Sequence, residues 1–182
     1  MKLSKNTKRS ILFFILIFTA ALIGQATAHG YLHPADPLIL LAGMLLPTPH
    51  ALASVGAASL LADVGKGYYL LAPVTLLIKL LMVWAVKGLL RTKPAEKHPE
   101  LMVSIAALIP VPGYYLAELI YQLCIGNKAA SFALAAVTLR KDLIQAVAGI
   151  LLFILVYDFY KGIKAGREEI ARIKEKKEDD AH

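Results

Sequence analysis

Cysteine is almost missing from this chain. Cys124 is the only one in 182 residues, which excludes an intrachain disulfide framework and any multi-cysteine zinc site. Charge is scarce too: Asp, Glu, Lys and Arg make up 18% of the residues, against about a quarter in a soluble domain. With 58% hydrophobic residues and a mean hydropathy of +0.61, disorder is excluded and a soluble enzyme of this size is disfavoured. No Walker-A glycine loop occurs, so the chain does not hydrolyse ATP itself. HExxH and GxSxG are also missing, and no pair of apolar-embedded carboxylates suits an aspartyl site. Internal repeats, low-complexity tracts and a second domain are lacking.

What the chain has is long apolar runs and a basic excess of +7. A nucleic-acid binder would gather its Lys and Arg on one soluble face, whereas a membrane protein sorts them to one side of the bilayer. Residues 11–28 form an uncharged run behind Lys2, Lys5, Lys8 and Arg9. Two interpretations compete: a retained first helix, or a signal peptide cleaved after Ala26-Thr27-Ala28. The apolar runs downstream favour retention. Further spans are expected over residues 71–90, 101–124 and 139–160, followed by a charged helical tail over 161–182. Between residues 38 and 62 the chain is apolar but broken by Pro47 and Pro49.

The positive-inside rule resolves that stretch. Lys and Arg number four at the N-terminus, three in the 91–100 loop and seven in the tail, against two (Lys66 and Lys128) in the remaining loops. The three basic segments are therefore assigned to the cytoplasm, and residues 38–62 must cross an even number of times. Two short helices, 38–47 and 50–62, satisfy this. At about 1.5 Å per residue neither spans a core of about 30 Å, so tilt or burial against longer neighbours is expected. The expected fold is an all-α integral membrane protein: one six-transmembrane-helix bundle over residues 1–160, with both termini cytoplasmic. The lipid bilayer is its surroundings, and nucleic acid is not a partner.

Ionisable groups at membrane depth are costly and mark functional candidates. Lys79, Glu118 and Gln145 fall at one level, roughly 9–12 Å below the outer edge by helical rise. They can pair with one another or with a polar ligand. Tyr114, Glu118, Tyr121 and Gln122 share one helix face, and Thr75 lies one turn before Lys79. Tyrosines suit a planar ring with a few hydrogen-bonding substituents. The plainer alternative is a Lys79–Glu118 pair that only ties two helices together. Pro110 and Pro112 should kink or break the fifth helix. The loop from Asp63 to Tyr69 either caps a cavity or simply connects two helices. His29 and His33 lack the partners a metal site needs, so no metal is expected.

Three motifs carry a family resemblance: Leu60-Leu-Ala-Asp63-Val-Gly-Lys-Gly-Tyr-Tyr-Leu-Leu-Ala-Pro73-Val-Thr75-Leu-Leu-Ile-Lys79, Pro112-Gly113-Tyr-Tyr-Leu-Ala-Glu118, and Asp142-Leu-Ile-Gln145-Ala-Val-Ala-Gly149. In order and spacing they resemble the substrate-binding S components of energy-coupling factor (ECF) transporters, in the branch that includes riboflavin, pyridoxine and hydroxymethylpyrimidine types. The resemblance implies a six-helix bundle in the bacterial cell membrane that captures a small water-soluble vitamin or precursor from outside. It implies docking on a transmembrane coupling subunit and two cytoplasmic ATPase subunits, which use the ATP, with delivery by toppling in the membrane. No cofactor is implied for the chain itself. The implied ligand contacts are Lys79, Glu118, Gln145, Tyr114, Tyr115, Asp63 and Thr75. A lid would follow the first helix, bringing in Tyr31 and His33. Ala20, Gly24 and Ala28, spaced by four, would meet the coupling subunit. Arg140-Lys141 is more basic than the family pattern and implies an anionic ligand or a headgroup contact. Two other classes remain beside this one: a small intramembrane enzyme using Lys79 and Glu118 as an acid–base pair, and a structural membrane protein.

Overall fold

Prolines start helices in this chain more often than they stop them. In a computed structural model, which describes residues 3–23, 33–125 and 131–179, Pro49, Pro73, Pro94, Pro99 and Pro110 each occupy one of the first two positions of a helix. Proline suits that place because its φ is already helical and an N–H there would have no intrahelical partner. The described elements are α1 (Lys5–Ile23), α2 (Ala35–Leu45), α3 (Thr48–Gly65), α4 (Ala72–Leu89), the short α5 (Lys93–Lys97), α6 (Pro99–Ile105), a 3-10 turn (Ala106–Leu108), α7 (Pro110–Cys124) and α8 (Ser131–Asp179).

Helix α2 is the hub. Of its 11 residues eight are buried, Ala35 to Pro37 and Ile39 to Gly43, and it packs against α1, α4 and α8. The core continues through Ile17, Val55, Met82, Val86, Val103 and Phe153. Around it, large apolar side chains face outward at helical spacing: Leu12, Ile15 and Leu16 on α1, Leu77, Leu81 and Trp84 on α4, Val147, Leu151, Leu155 and Phe159 on α8. An apolar surface on this scale is foreign to a water-soluble monomer and matches a bilayer as solvent. Four helical stretches are long and apolar enough to cross a membrane: Lys5–Ile23, Ala72–Leu89, Pro99–Cys124 and Ala135–Ile173. The protein is all-helical among its described residues and multi-pass in character.

Two boundaries differ from the sequence-based expectation, and the expected break at Pro110 and Pro112 begins a few residues ahead of the prolines. Helix α3 runs 18 residues, roughly 27 Å. Its small residues Ala51, Ser54, Gly56, Ala58, Ser59 and Ala62 are buried against α1 and α4, so close packing rather than hydropathy sets its length. The 99–124 stretch is interrupted. Pro110 and Pro112 cannot donate to the carbonyls four residues back, and a shorter bond from the Ile109 N–H to the Ala106 carbonyl closes a 3-10 turn instead. Helix α8 begins at Ser131 and continues unbroken for 49 residues, roughly 73 Å, through what looked like a separate tail. Lys, Glu and Ala are strong helix formers, so the switch from apolar to charged residues changes the solvent and not the conformation.

Candidate functional site

The deepest charge in the bundle is Lys79, on the second turn of α4 and 1% exposed. An ammonium there needs an anion, and Asp36, in the first turn of α2, supplies it. The Lys79 Nζ donates to Asp36 Oδ1 at 2.5 Å. Asp36 also accepts at Oδ2 from the Gln145 amide of α8 at 3.4 Å, and His33 Nδ1 lies 3.3 Å from Oδ1. One carboxylate thus gathers α2, α4 and α8. Lys79 further sits 5.8 Å from the centre of the Tyr114 ring of α7, within cation–π range. Tyr114 closes the ring of elements by donating from its hydroxyl to Thr75 Oγ1 at 3.5 Å.

A cavity of about 370 Å³ opens beside this cluster, within the range of small-molecule sites. It is lined by Asp63 in the last turn of α3, Tyr68 between α3 and α4, Thr75 of α4, Tyr114 and Glu118 of α7, and Asp142 and Gln145 of α8. His33, Leu71, Ala117 and Lys141 complete the wall. The end of α3 and the start of α4 set the cavity toward one end of the bundle, Tyr114 and Glu118 reach it from the first two-thirds of α7, and Asp142 and Gln145 reach it from about three to four turns into α8. Next to it lies a more apolar cavity of about 450 Å³, bounded by the loop from Gly67 to Leu71 and by Ala117, Glu118 and Tyr121. Tyr68, Leu71, Ala117 and Glu118 border both.

The loop that separates them is held by backbone. Gly67 has φ +82°, a left-handed conformation that side-chain-bearing residues rarely adopt, and the Tyr68 N–H donates to the Asp63 carbonyl at 2.9 Å. Lys66 Nζ sits 4.0 Å from Asp63 Oδ1, and burial pushes the Lys66 ammonium below its ordinary value while Asp63 opposes that shift.

Of the sequence candidates, Glu118, Gln145, Tyr114, Thr75, Asp63 and His33 line the cavity. Lys79 does not: it lies underneath, paired with Asp36, and supports the wall through Tyr114 and Thr75. Lys79 and Glu118 do not form the pair that their common depth suggested. The Glu118 Oε1 instead accepts from the Gln122 amide at 2.7 Å, one turn on. Tyr115 is half-buried and lines neither cavity. Ala20 is half-buried against the core, while Gly24, Ala28 and Tyr31 lie outside the described residues. Sequence reasoning missed Asp36 and Asp142. The signal for Asp36 was the unpaired Lys79 itself, since a lysine at that depth requires a counter-ion.

A membrane-embedded helix bundle with a polar, tyrosine-bearing cavity at one end defines a class: a membrane protein that binds a small molecule. The particular family follows from comparison. Residues 10–162 match the family described as ECF-type riboflavin transporter, S component, and the chain belongs to that family. S components are substrate-binding subunits of vitamin-uptake transporters, not enzymes, and they work with a membrane coupling subunit and ATPases. No curated protein and no solved structure matches the chain.

Proposed function

We propose that this chain captures a ring-bearing vitamin of the riboflavin type in the cavity between α3, α4, α7 and α8, and presents it to a transporter powered by partner ATPases. The observation that carries the reading is the cavity beside the Asp36–Lys79 pair: hydrogen-bonding groups from four elements converge on a space of about 370 Å³, next to tyrosine faces. In the flavin reading the adjoining apolar space takes part of the tricyclic ring. Pyridoxine- and hydroxymethylpyrimidine-like ligands are smaller members of the same chemical class.

By the positive-inside rule the basic N-terminus, 91–100 loop and α8 extension support a cytoplasmic place for the end of the bundle that carries them, in a bacterial cell membrane. The cavity then opens outward, with the segment that leads into α2 as its lid and both termini inside. Six crossings follow if α2 and α3 form the short pair and α6 and α7 count as one broken span. Ala20, with Gly24 and Ala28, offers a small-residue face to the coupling subunit. Two cytoplasmic ATPases supply the energy, the loaded bundle delivers by toppling, and the chain itself carries no cofactor.

Glu118 tests the site. Titrating riboflavin or a smaller ring vitamin into the isolated chain should show binding, weakened by about 1–3 kcal/mol in Glu118→Ala, which leaves a buried ligand donor unpaired. Wild-type affinity in Glu118→Ala and Gln145→Ala alike would move the site elsewhere.

A further inference from the structure

Asp142 is the one carboxylate of the cavity wall without a settled partner. It stands on α8, one turn before Gln145, is 9% exposed, and lines the cavity. Its Oδ2 is fully buried and makes no hydrogen bond. A buried acceptor in that state is either an uncompensated cost or one half of an interaction whose other half is a ligand.

Its neighbours limit what the ligand can be. Asp63 and Glu118 bring two more carboxylates to the same wall from different elements. The basic groups of the lining are the Lys141 ammonium, exposed and next to Asp142 in the chain, and the His33 imidazole. Lys79 adds no free charge, because Asp36 answers it. Lys66, off the wall, lies 4.0 Å from Asp63. Carboxylates therefore outnumber the cations of the lining, and of the two buried lining atoms that make no hydrogen bond, His33 Nδ1 has the Asp36 carboxylate 3.3 Å away while Asp142 Oδ2 has no such neighbour among the described residues.

We propose that Asp142 is a ligand-binding residue, accepting a hydrogen bond from an N–H or O–H donor of the bound vitamin, and that with Asp63 and Glu118 it selects unphosphorylated ligands against their phosphate esters. This rests on the vitamin-capture reading and deepens it. It also answers the question raised by Arg140-Lys141. Arg140 is exposed and lines neither cavity, so only Lys141 of the basic pair reaches the wall, where three carboxylates outnumber it. An ester phosphate brought to this wall meets like charge, and like charges brought together at a binding site are strongly discriminating.

The experiment titrates two ligand pairs into the detergent-purified full chain: riboflavin with riboflavin 5′-phosphate, and pyridoxine with its 5′-phosphate. The wild-type chain should bind one parent compound at least about tenfold more tightly than its ester. Asp142→Ala should weaken the parent about tenfold or more, the loss expected when a hydrogen bond to a charged acceptor goes. Asp142→Asn, which keeps the shape and removes the charge, should narrow the gap between parent and ester. Thermal unfolding of both variants reports whether they fold, and Asn serves if Ala does not. Equal affinity for parent and ester in the wild type overturns the selectivity, and unchanged parent affinity in Asp142→Ala and Asp142→Asn overturns the residue assignment. Binding of none of the four compounds overturns the vitamin reading and this inference with it.

Discussion

Asp36 and Lys79 form a pair that neither residue would sustain alone. Both lie inside the bundle, and taking a lone ammonium or carboxylate out of water costs several kcal/mol that only a close, hydrogen-bonded partner offsets. The pair also fixes three helices, since Gln145 reaches the second carboxylate oxygen from α8. Removing one partner is therefore worse than removing both. Asp36→Ala should destabilise the protein by about 3–5 kcal/mol, and adding Lys79→Met should restore most of that loss, because no charge is then left stranded. Thermal unfolding in detergent measures both variants, and a double variant no more stable than Asp36→Ala contradicts the assignment. Half of this was legible beforehand. Lys79 stood out as a charge inside an apolar run, but Asp36 hid between Pro34 and Pro37 in what read as a loop. Prolines at a helix start and prolines in a loop look alike in one dimension, and only the packing of α2 under α4 separates them.

At the scale of elements, α7 shows how a broken helix positions side chains. The prolines that interrupt the 99–124 stretch re-aim the following helix so that Tyr114 and Glu118 reach the cavity. Gly113 makes the close approach possible. A methyl group built on it would lie 2.9 Å from both Cδ1 and Cγ1 of Ile78, the residue before Lys79. Gly113→Ala should thus push α7 off α4 and cost about 1–3 kcal/mol, the usual penalty for overpacking. Because Tyr114 is the neighbour of Gly113, vitamin affinity should fall with stability, whereas Gly162→Ala, with open space around it, should leave both near wild type. Equal effects of the two substitutions, read by thermal unfolding and ligand titration, would contradict this. The break was visible in Pro110-Val-Pro112. Its position a few residues earlier was not, because it depends on which carbonyls the missing N–H groups release.

For the molecule as a whole, the basic excess of the sequence acquires a place. Lys5, Lys8 and Arg9 lie on α1, and Lys161, Lys164, Arg167 and Arg172 lie along the exposed extension of α8, away from the cavity end. The topology has a natural probe in Cys124, the sole cysteine, exposed at the end of α7. A membrane-impermeant maleimide should label Cys124 in intact cells, while a Cys124→Ser, Lys164→Cys chain should label only after the membrane is opened. The reverse pattern would invert the bundle and seal the cavity from its supply. Charge sorting acts on whole segments, which is why the sequence alone can propose an orientation. The wall of the site was legible only in part, because it is assembled from a loop and four helices whose contacts no local pattern encodes. The most direct test of the account is native mass spectrometry of the chain purified without its partners. It should carry a ring-bearing vitamin or precursor that is lost in Glu118→Ala. A folded chain that remains empty after incubation with riboflavin, pyridoxine and hydroxymethylpyrimidine would contradict it.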